Sequence, residues 1–131
     1  MPDNKKQEHI AHWIDLAQYD LDTAETLLKN ERFLYVGFMC HQVIEKLLKA
    51  LYVKIKTGVP PFSHNIRYLA SESEIYLLFS ENQKKLLDVL GPLNIETRYP
   101  DYKRKIFETL TAEKCADLLD QTKELFKWLQ K

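Results

Sequence analysis

The amino-acid sequence predicts an all-α protein, an antiparallel up-and-down bundle of four long helices and one short helix. Long segments repeat apolar residues at the three- and four-residue spacing of a helix face. No segment alternates apolar and polar residues as a half-buried strand does. Residues that commonly cap helices stand where these segments begin. With 131 residues and no evident linker or repeat, residues 1–131 are expected to form a single helical domain.

The first helix is expected to run from about Lys5 to Asn30. Asp3 or Asn4 is suited to cap its start. Asn30 is suited to close it, because Asn tolerates the left-handed conformation that follows many helices. The predicted buried stripe of this helix consists of Ile10, Trp13, Ile14, Ala17, Leu21, Ala24, Leu27 and Leu28.

The second helix is expected to run from Phe33 to Lys56. Because only about two residues separate it from the first helix, the two should form a hairpin. Gly58 is expected to close it, with Pro60 and Pro61 just beyond. Its apolar face is wide, which predicts contact with several other helices. That face consists of Phe33, Val36, Met39, Cys40, Val43, Ile44, Leu47, Leu48, Leu51 and Ile55.

Two helices are predicted from caps in the middle of the chain. Ser63 is a candidate cap for a short third helix, from His64 to about Ser71. Ser80 and Gln83 have the spacing of a capping box, which predicts a fourth helix from about Glu81 to Ile95.

The last third of the chain contains a helix breaker and a further cap. Gly91 and Pro92 fall inside the fourth helix, so we expect a kink or an early end there. Residues 97–110 are expected to be irregular because they contain a proline and a mixed run of charges. Thr111 then caps a final helix that should run to about Leu129.

Composition excludes several classes of function. The 19 basic and 19 acidic residues cancel, so we expect no coating of DNA by bulk charge, and any nucleic-acid contact must come from a local patch. No run approaches the ~20 apolar residues of a membrane span. Cys40 and Cys115 stand in apolar helical patterns without a metal-ligand spacing, so no metal and no cofactor is predicted. A reducing cytoplasm is the expected location.

The second helix also carries a polar strip. His41, Glu45 and Lys49 are spaced four residues apart, so they share one face, and Glu45 before Lys49 is the favoured order for a helical ion pair. Gln42 and Lys46 lie beside them. Such a strip is either a solvated surface or, because this helix is otherwise apolar nearly all round, the lining of a groove or subunit contact.

Two later motifs contain residues suited to bind anions. His64 stands at the predicted start of the third helix, where an imidazole can bind an anion, donate a proton or cap a carbonyl. Arg98 offers a planar fork suited to phosphate or carboxylate, and Tyr99 offers a stacking face. Asp101 can instead pair with Arg98, which would give that arginine a structural role.

The order and spacing of these residues resemble those of HEPN domains over about residues 8 to 129. The segments that carry the resemblance are Trp13…Ala17-x-x-Asp20-Leu21-x-x-Ala24, Tyr35-x-Gly37-Phe38-x-x-x-Gln42-x-x-Glu45-Lys46-x-x-Lys49-Ala50, His64-Asn65-Ile66-x-x-Leu69 and Arg98-Tyr99-Pro100-Asp101.

This resemblance implies a helical bundle that forms a homodimer and works with nucleotides or RNA, often beside a minimal nucleotidyltransferase in a toxin–antitoxin pair. It also implies a metal-independent ribonuclease site made of an Arg, a spacer of four to six residues and a His, duplicated across the dimer. The sequence departs from that pattern, because no His follows Arg98 at this spacing. The usual acid–base partner of the arginine is therefore missing.

Three hypotheses remain open from the sequence. The first is a nucleotide- or partner-binding HEPN protein without the ribonuclease spacing, more a binding protein than an enzyme. The second is a metal-independent ribonuclease toxin that uses Arg98 and His64 as catalytic residues. The third is a purely structural dimerisation bundle. The residues predicted to bind the ligand or partner are Glu45, Lys46, Lys49, His64, Arg98, Tyr99 and Asp101.

Overall fold

The computed structural model describes residues 2–96, 104–105 and 108–131, with the side chains of residues 95 and 96 left out. All regular structure in these ranges is helical, which confirms the predicted all-α bundle of four long helices and one short helix. The α-helices are α1 (Asp3–Lys29), α2 (Phe33–Lys56), α3 (Ile66–Glu72), α4 (Glu81–Glu96) and α5 (Ala112–Leu129), and a single 3₁₀ turn covers Tyr76–Leu78.

Helix α2 lies at the centre of the bundle. It forms the predicted hairpin with α1 and also packs against α3, α4 and α5. Its side chains Ile44, Leu48 and Val53 are completely buried. Gly37 lets α2 approach α4 closely, because a Cβ atom at this position would lie 2.5 Å from Cδ1 of Leu93. Removal of this wide apolar face from water is the main source of stability that the fold offers.

The structure corrects the predicted ends of α1. The helix begins directly after Pro2 without a side-chain cap, and the Asn4 side chain instead accepts a hydrogen bond from the adjacent Lys5 N–H. At the other end the left-handed residue is Glu31, with φ 59°, and not Asn30. The chain therefore turns into α2 at Glu31, one residue later than the preference of Asn for the left-handed conformation predicted.

Two caps near His64 also differ from the prediction. Thr57, with φ 51°, takes the left-handed conformation after α2 in place of Gly58. Asn65 caps α3 by accepting a hydrogen bond from the Tyr68 N–H at 3.0 Å. Ser63 does not cap the helix but accepts from the Asn65 N–H. His64 therefore precedes α3 and belongs to the loop between α2 and α3.

The predicted caps of the last two long helices are confirmed. Ser80 and Gln83 form both bonds of the capping box, and Thr111 accepts from the Lys114 N–H. Helix α4 does not end at Pro92 but continues to Glu96. Proline has a helical φ and removes only one N–H donor, so the buried neighbours on α4 can sustain the helix past it.

The prediction that residues 97–110 are irregular is wrong in part. Residues 104–105 and 108–109 are helical. The mixed charges of this stretch are compatible with a helix, since charged side chains have good helix propensity when their faces are solvated.

Candidate functional site

The Glu45 carboxylate, on α2, is the centre of a cluster of basic side chains. Nδ1 of His64 lies 3.0 Å from Oε1 and 3.1 Å from Oε2 of this carboxylate. Nε2 of His41 lies 3.4 Å from Oε1, and Nζ of Lys49 lies 3.2 Å from Oε2. Glu45 itself is only 3% exposed. We call these four residues, His41, Glu45, Lys49 and His64, the Glu45 cluster.

His41 joins α2 to two other parts of the chain. Its ring is completely buried, with Nδ1 3.0 Å from the carbonyl oxygen of Leu90 and Nε2 3.0 Å from that of His64. Because a carbonyl oxygen only accepts, both contacts are hydrogen bonds only when each ring nitrogen carries a proton. The His41 ring therefore connects α4 and the α2–α3 loop to α2, beside the Glu45 carboxylate.

His64 is the member of the cluster that reaches solvent. Its side chain is 60% exposed, although Nδ1 is held by Glu45. Among the residues that the structure describes, none makes a hydrogen bond to Nε2 of this ring. A carboxylate that accepts from Nδ1–H fixes the ring and its tautomer, so Nε2 is free to accept a proton, and it can donate to an anion once it has done so.

The two lysines of the polar strip are held by other side chains. Lys49 is buried against Glu45, with its ammonium 5.4 Å from the centre of the Trp13 ring. Lys46 forms an ion pair with Asp20 of α1. Among the described residues, α1 and the α2–α3 loop cover most of the strip, so it is not a solvated face. Direct ligand contact by Glu45, Lys46 or Lys49 stays a prediction.

The other predicted site residues, Arg98, Tyr99 and Asp101, lie outside the residues that the structure describes. Their approach to His64 therefore also stays a prediction. Within the described ranges, the structure brings Glu45, Lys49 and His64 together and gives Lys46 a separate partner in Asp20.

Sequence reasoning missed two polar residues that support the site. Asp20 stands among the apolar residues of the buried stripe of α1, and a carboxylate there needs a cation, which Lys46 supplies. His41 stands four residues before Glu45 and was recognised only as part of the polar strip. A charged or polar side chain inside an apolar stripe was the available signal in both helices.

The environment of Glu45 strongly favours its ionised form. Burial by itself would raise the pKa of this carboxyl group. The hydrogen bond from His41, the charge of Lys49, and the hydrogen bond and charge of His64 together outweigh burial and lower the pKa from 4.5 to about 2. Glu45 therefore remains a carboxylate at any physiological pH.

The described residues support neither a metal site nor a membrane-spanning helix. Among them, no group of three or more His, Cys, Asp or Glu side chains is arranged to hold a metal ion. In the same part of the chain, no helix has the length and apolar character needed to cross a membrane.

We predict that Glu45 makes stability depend on pH in acid. Because the folded pKa of about 2 is below the usual 4.5, the stabilisation is complete above about pH 5 and is lost as the pH falls towards 2. The shift corresponds to about 3 kcal/mol in the free energy of unfolding. Glu45→Gln should lower stability at pH 7 by about 3–5 kcal/mol, because basic groups stay buried without their counter-charge. Urea unfolding at pH 7, 5 and 3 measures both effects.

The matched control is Glu74→Gln, which removes a carboxylate that pairs with Lys56 at the surface. This variant should change stability by less than about 1 kcal/mol and should keep the acid sensitivity of the wild type. If the free energy of unfolding falls by the same amount from pH 7 to pH 3 in the wild type and in Glu45→Gln, the assigned role of Glu45 is contradicted.

Comparison with known proteins gives the family. The fold is similar to the crystal structure of TT1696 from Thermus thermophilus, with a TM-score of 0.78 and 22% sequence identity, over 92% of this chain and 95% of that chain. No curated protein matches the sequence. The family model described as "HEPN domain" matches residues 10–131. Because this match covers almost the whole chain, the protein belongs to the HEPN domain family, as the sequence motifs suggested.

Proposed function

We propose that this protein binds an acidic ligand through His64, either a nucleotide or an acidic surface of a nucleotidyltransferase partner. It would do so as a homodimer and as the HEPN half of a nucleotidyltransferase/HEPN toxin–antitoxin module. The observation that carries the proposal is the exposed imidazole of His64, which a buried carboxylate holds by one nitrogen while the other nitrogen faces outward.

Local charge supports an anionic ligand although the chain as a whole is neutral. The basic side chains of His41, Lys49 and His64 surround the single carboxylate of Glu45. A proton on either imidazole adds a positive charge to this cluster, in a part of the protein where burial weakens screening by water. An anion beside the His64 ring would be attracted by such a charge and, when the ring is protonated, would receive a hydrogen bond from Nε2, since Nδ1 is held by Glu45.

The residues after α4 would complete the site. In this proposal Arg98 contributes a forked contact to phosphate or carboxylate, and Tyr99 stacks on a base or closes the pocket. Asp101 would hold Arg98 in place. Lys46 would add positive charge at the edge of the site, since its side chain is partly exposed beside Asp20.

We predict that ATP, GTP or a nucleotidyltransferase encoded nearby binds the purified protein. Ligands should raise the melting temperature in a thermal-shift screen, and the partner should be retained in a pull-down. His64→Ala and Arg98→Ala should each weaken binding at least tenfold, the loss expected when one charge-assisted contact of about 1.4 kcal/mol or more is removed.

His9→Ala is the control, because His9 is an exposed histidine of α1 that is not a member of the Glu45 cluster. It should bind like the wild type. If neither nucleotide nor partner binds, and Arg98→Ala behaves like the wild type, the proposal is wrong.

A metal-independent ribonuclease that uses Arg98 and His64 is the second candidate. The contact between Glu45 and His64 favours it, because a carboxylate that orients a histidine is the usual support of a general base. This function predicts RNA cleavage in the presence of EDTA, abolished by His64→Ala. RNA that stays intact at high protein concentration would exclude it.

The third hypothesis, a purely structural dimerisation bundle, has less support. It predicts that the polar strip is exposed to solvent in the dimer, with its charges paired among themselves, and it would be favoured if Glu45, His64 and Arg98 lay on unrelated surfaces. Glu45 and His64 instead contact each other at hydrogen-bond distance.

A further inference from the structure

His41 is a completely buried side chain whose two ring nitrogens both face carbonyl oxygens. Nδ1 lies 3.0 Å from the oxygen of Leu90 on α4, and Nε2 lies 3.0 Å from the oxygen of His64 in the α2–α3 loop. Since a carbonyl oxygen cannot donate, a ring with a single proton can satisfy only one of these contacts. The other contact would then set a nitrogen lone pair against an oxygen lone pair. One of the two carbonyl groups must therefore move away when the ring loses a proton.

The two carbonyl groups differ in how freely they can move. Leu90 is completely buried, and it belongs to a long helix that packs against α2. His64 belongs to the loop over residues 57–65, in which only Pro60 is buried. A loop with so few buried residues opens at a lower cost than a packed helix. The His64 carbonyl is therefore the partner that a neutral His41 ring would release.

The ionisable groups in contact with His41 come from α2 and the α2–α3 loop. The Glu45 carboxylate lies 3.4 Å from Nε2 and also contacts Lys49 and the His64 ring. Because the pKa of Glu45 is lowered to about 2, its charge is constant near neutral pH. The other elements that pack against α2 contribute charged groups that already form pairs, namely Asp20 with Lys46, Lys123 with Glu25, and Arg67 with Asp88. The two histidines are therefore the groups here that ordinarily change charge near neutral pH.

His64 and His41 differ in what the loss of a proton does to their contacts. Nδ1 of His64 contacts the Glu45 carboxylate, and Nε2 makes no hydrogen bond to a residue that the structure describes. A neutral His64 ring can therefore keep its contact by retaining the proton on Nδ1. A neutral His41 ring cannot keep both of its contacts. Loss of a proton from His41, and not from His64, would free the backbone of the loop.

We propose that His41 is a pH sensor that holds the α2–α3 loop against α2 when its ring is protonated and releases the loop when the ring loses a proton. In the protonated form, the backbone and the ring of His64 are both held, so the imidazole has one fixed position. In the neutral form, Glu45 alone holds His64. The inference adds a regulation to the proposed anion-binding site and in this respect rests on the proposed function, but the state of the loop can be measured without a ligand.

Nitrogen NMR of the histidine rings and amide hydrogen exchange, both at pH 5.5 and pH 8.5 on the ligand-free protein, test the inference. The His41 ring should carry two N–H groups at pH 5.5 and one at pH 8.5. The reporters of the loop are the amides of Asn65 and Tyr68, which donate to the side chains of Ser63 and Asn65. Their protection factors should fall about tenfold or more between the two pH values, the factor for loss of one hydrogen bond to a charged group.

The control amides are those of Gln83 and Lys114, which donate to the side chains of Ser80 and Thr111 outside this loop. A protection factor compares each amide with an unfolded peptide at the same pH, so it removes the direct effect of pH on the exchange rate. The protection factors of the control amides should therefore be the same at both pH values.

Two substitutions of His41 separate its two contacts. In His41→Gln the side-chain amide nitrogen stands near the position of Nε2, so it can donate to the His64 carbonyl without a titratable proton. In His41→Asn it stands near the position of Nδ1, so it can donate to the Leu90 carbonyl only. The loop amides should therefore stay protected at both pH values in His41→Gln and lose protection at both in His41→Asn. Circular dichroism establishes that each variant folds, and if neither does, the wild-type measurements decide.

The inference is overturned if the His41 ring carries the same number of protons at pH 5.5 and pH 8.5. It is also overturned if the ring loses a proton while the Asn65 and Tyr68 amides lose no more protection than the control amides. A fall in folded His41→Gln as large as in the wild type would assign the effect to His64 and would equally overturn it. Because no ligand is present, each of these results leaves the proposed function standing, and a failure of nucleotide and partner binding leaves the behaviour of the loop unchanged.

Discussion

The buried negative charge of Glu45 is the constraint on which the arrangement of the site depends. A carboxylate that is 3% exposed is stable only with close partners, because loss of solvation costs several kcal/mol. Its partners come from α2 itself and from the α2–α3 loop, and His41 extends the same network to a carbonyl of α4. One charged group therefore fixes the relative positions of three parts of the bundle.

This arrangement explains how a rigid helical bundle can present a reactive side chain. His64 lies in a loop, but its ring is held by Glu45 and its carbonyl oxygen accepts from His41. Two contacts to the central helix make this loop position well ordered while the ring stays open to solvent. Because the chain as a whole is neutral, any attraction for an anionic ligand at this point must come from the local arrangement of basic side chains around Glu45.

The helices could be predicted from the sequence because periodicity and capping are local properties. The bounds of α2 and the Ser80–Gln83 capping box agree with the structure. The helix caps that were predicted wrongly also have local causes. Asn65 and Ser63 are both good caps, and only the path of the loop decides that Asn65 is used. Thr57 takes the left-handed conformation because it directly follows Lys56, the last residue of α2, and Gly58 stands one position further along the chain.

The site could be predicted only in part, since spacing along a helix does not show what covers the helix. The four-residue spacing correctly paired Glu45 with Lys49. It could not show that α1 buries this face, nor that residues distant in sequence complete the pairs. The contacts of Lys46 with Asp20, of His64 with Glu45 and of Gln42 with Asn94 span 26, 19 and 52 residues. Such pairs follow from the packing of the bundle, and the local sequence does not identify which residue will be the partner.

The most direct test of this account is a double-mutant cycle between Glu45 and His64, measured by urea unfolding at pH 6. The variants are Glu45→Gln, His64→Ala and the double substitution. If the carboxylate holds the imidazole as described, the two changes should be coupled by about 1 kcal/mol or more, the range found for residues in one charged network. Additive effects, with a coupling energy near zero, would contradict the central role of Glu45.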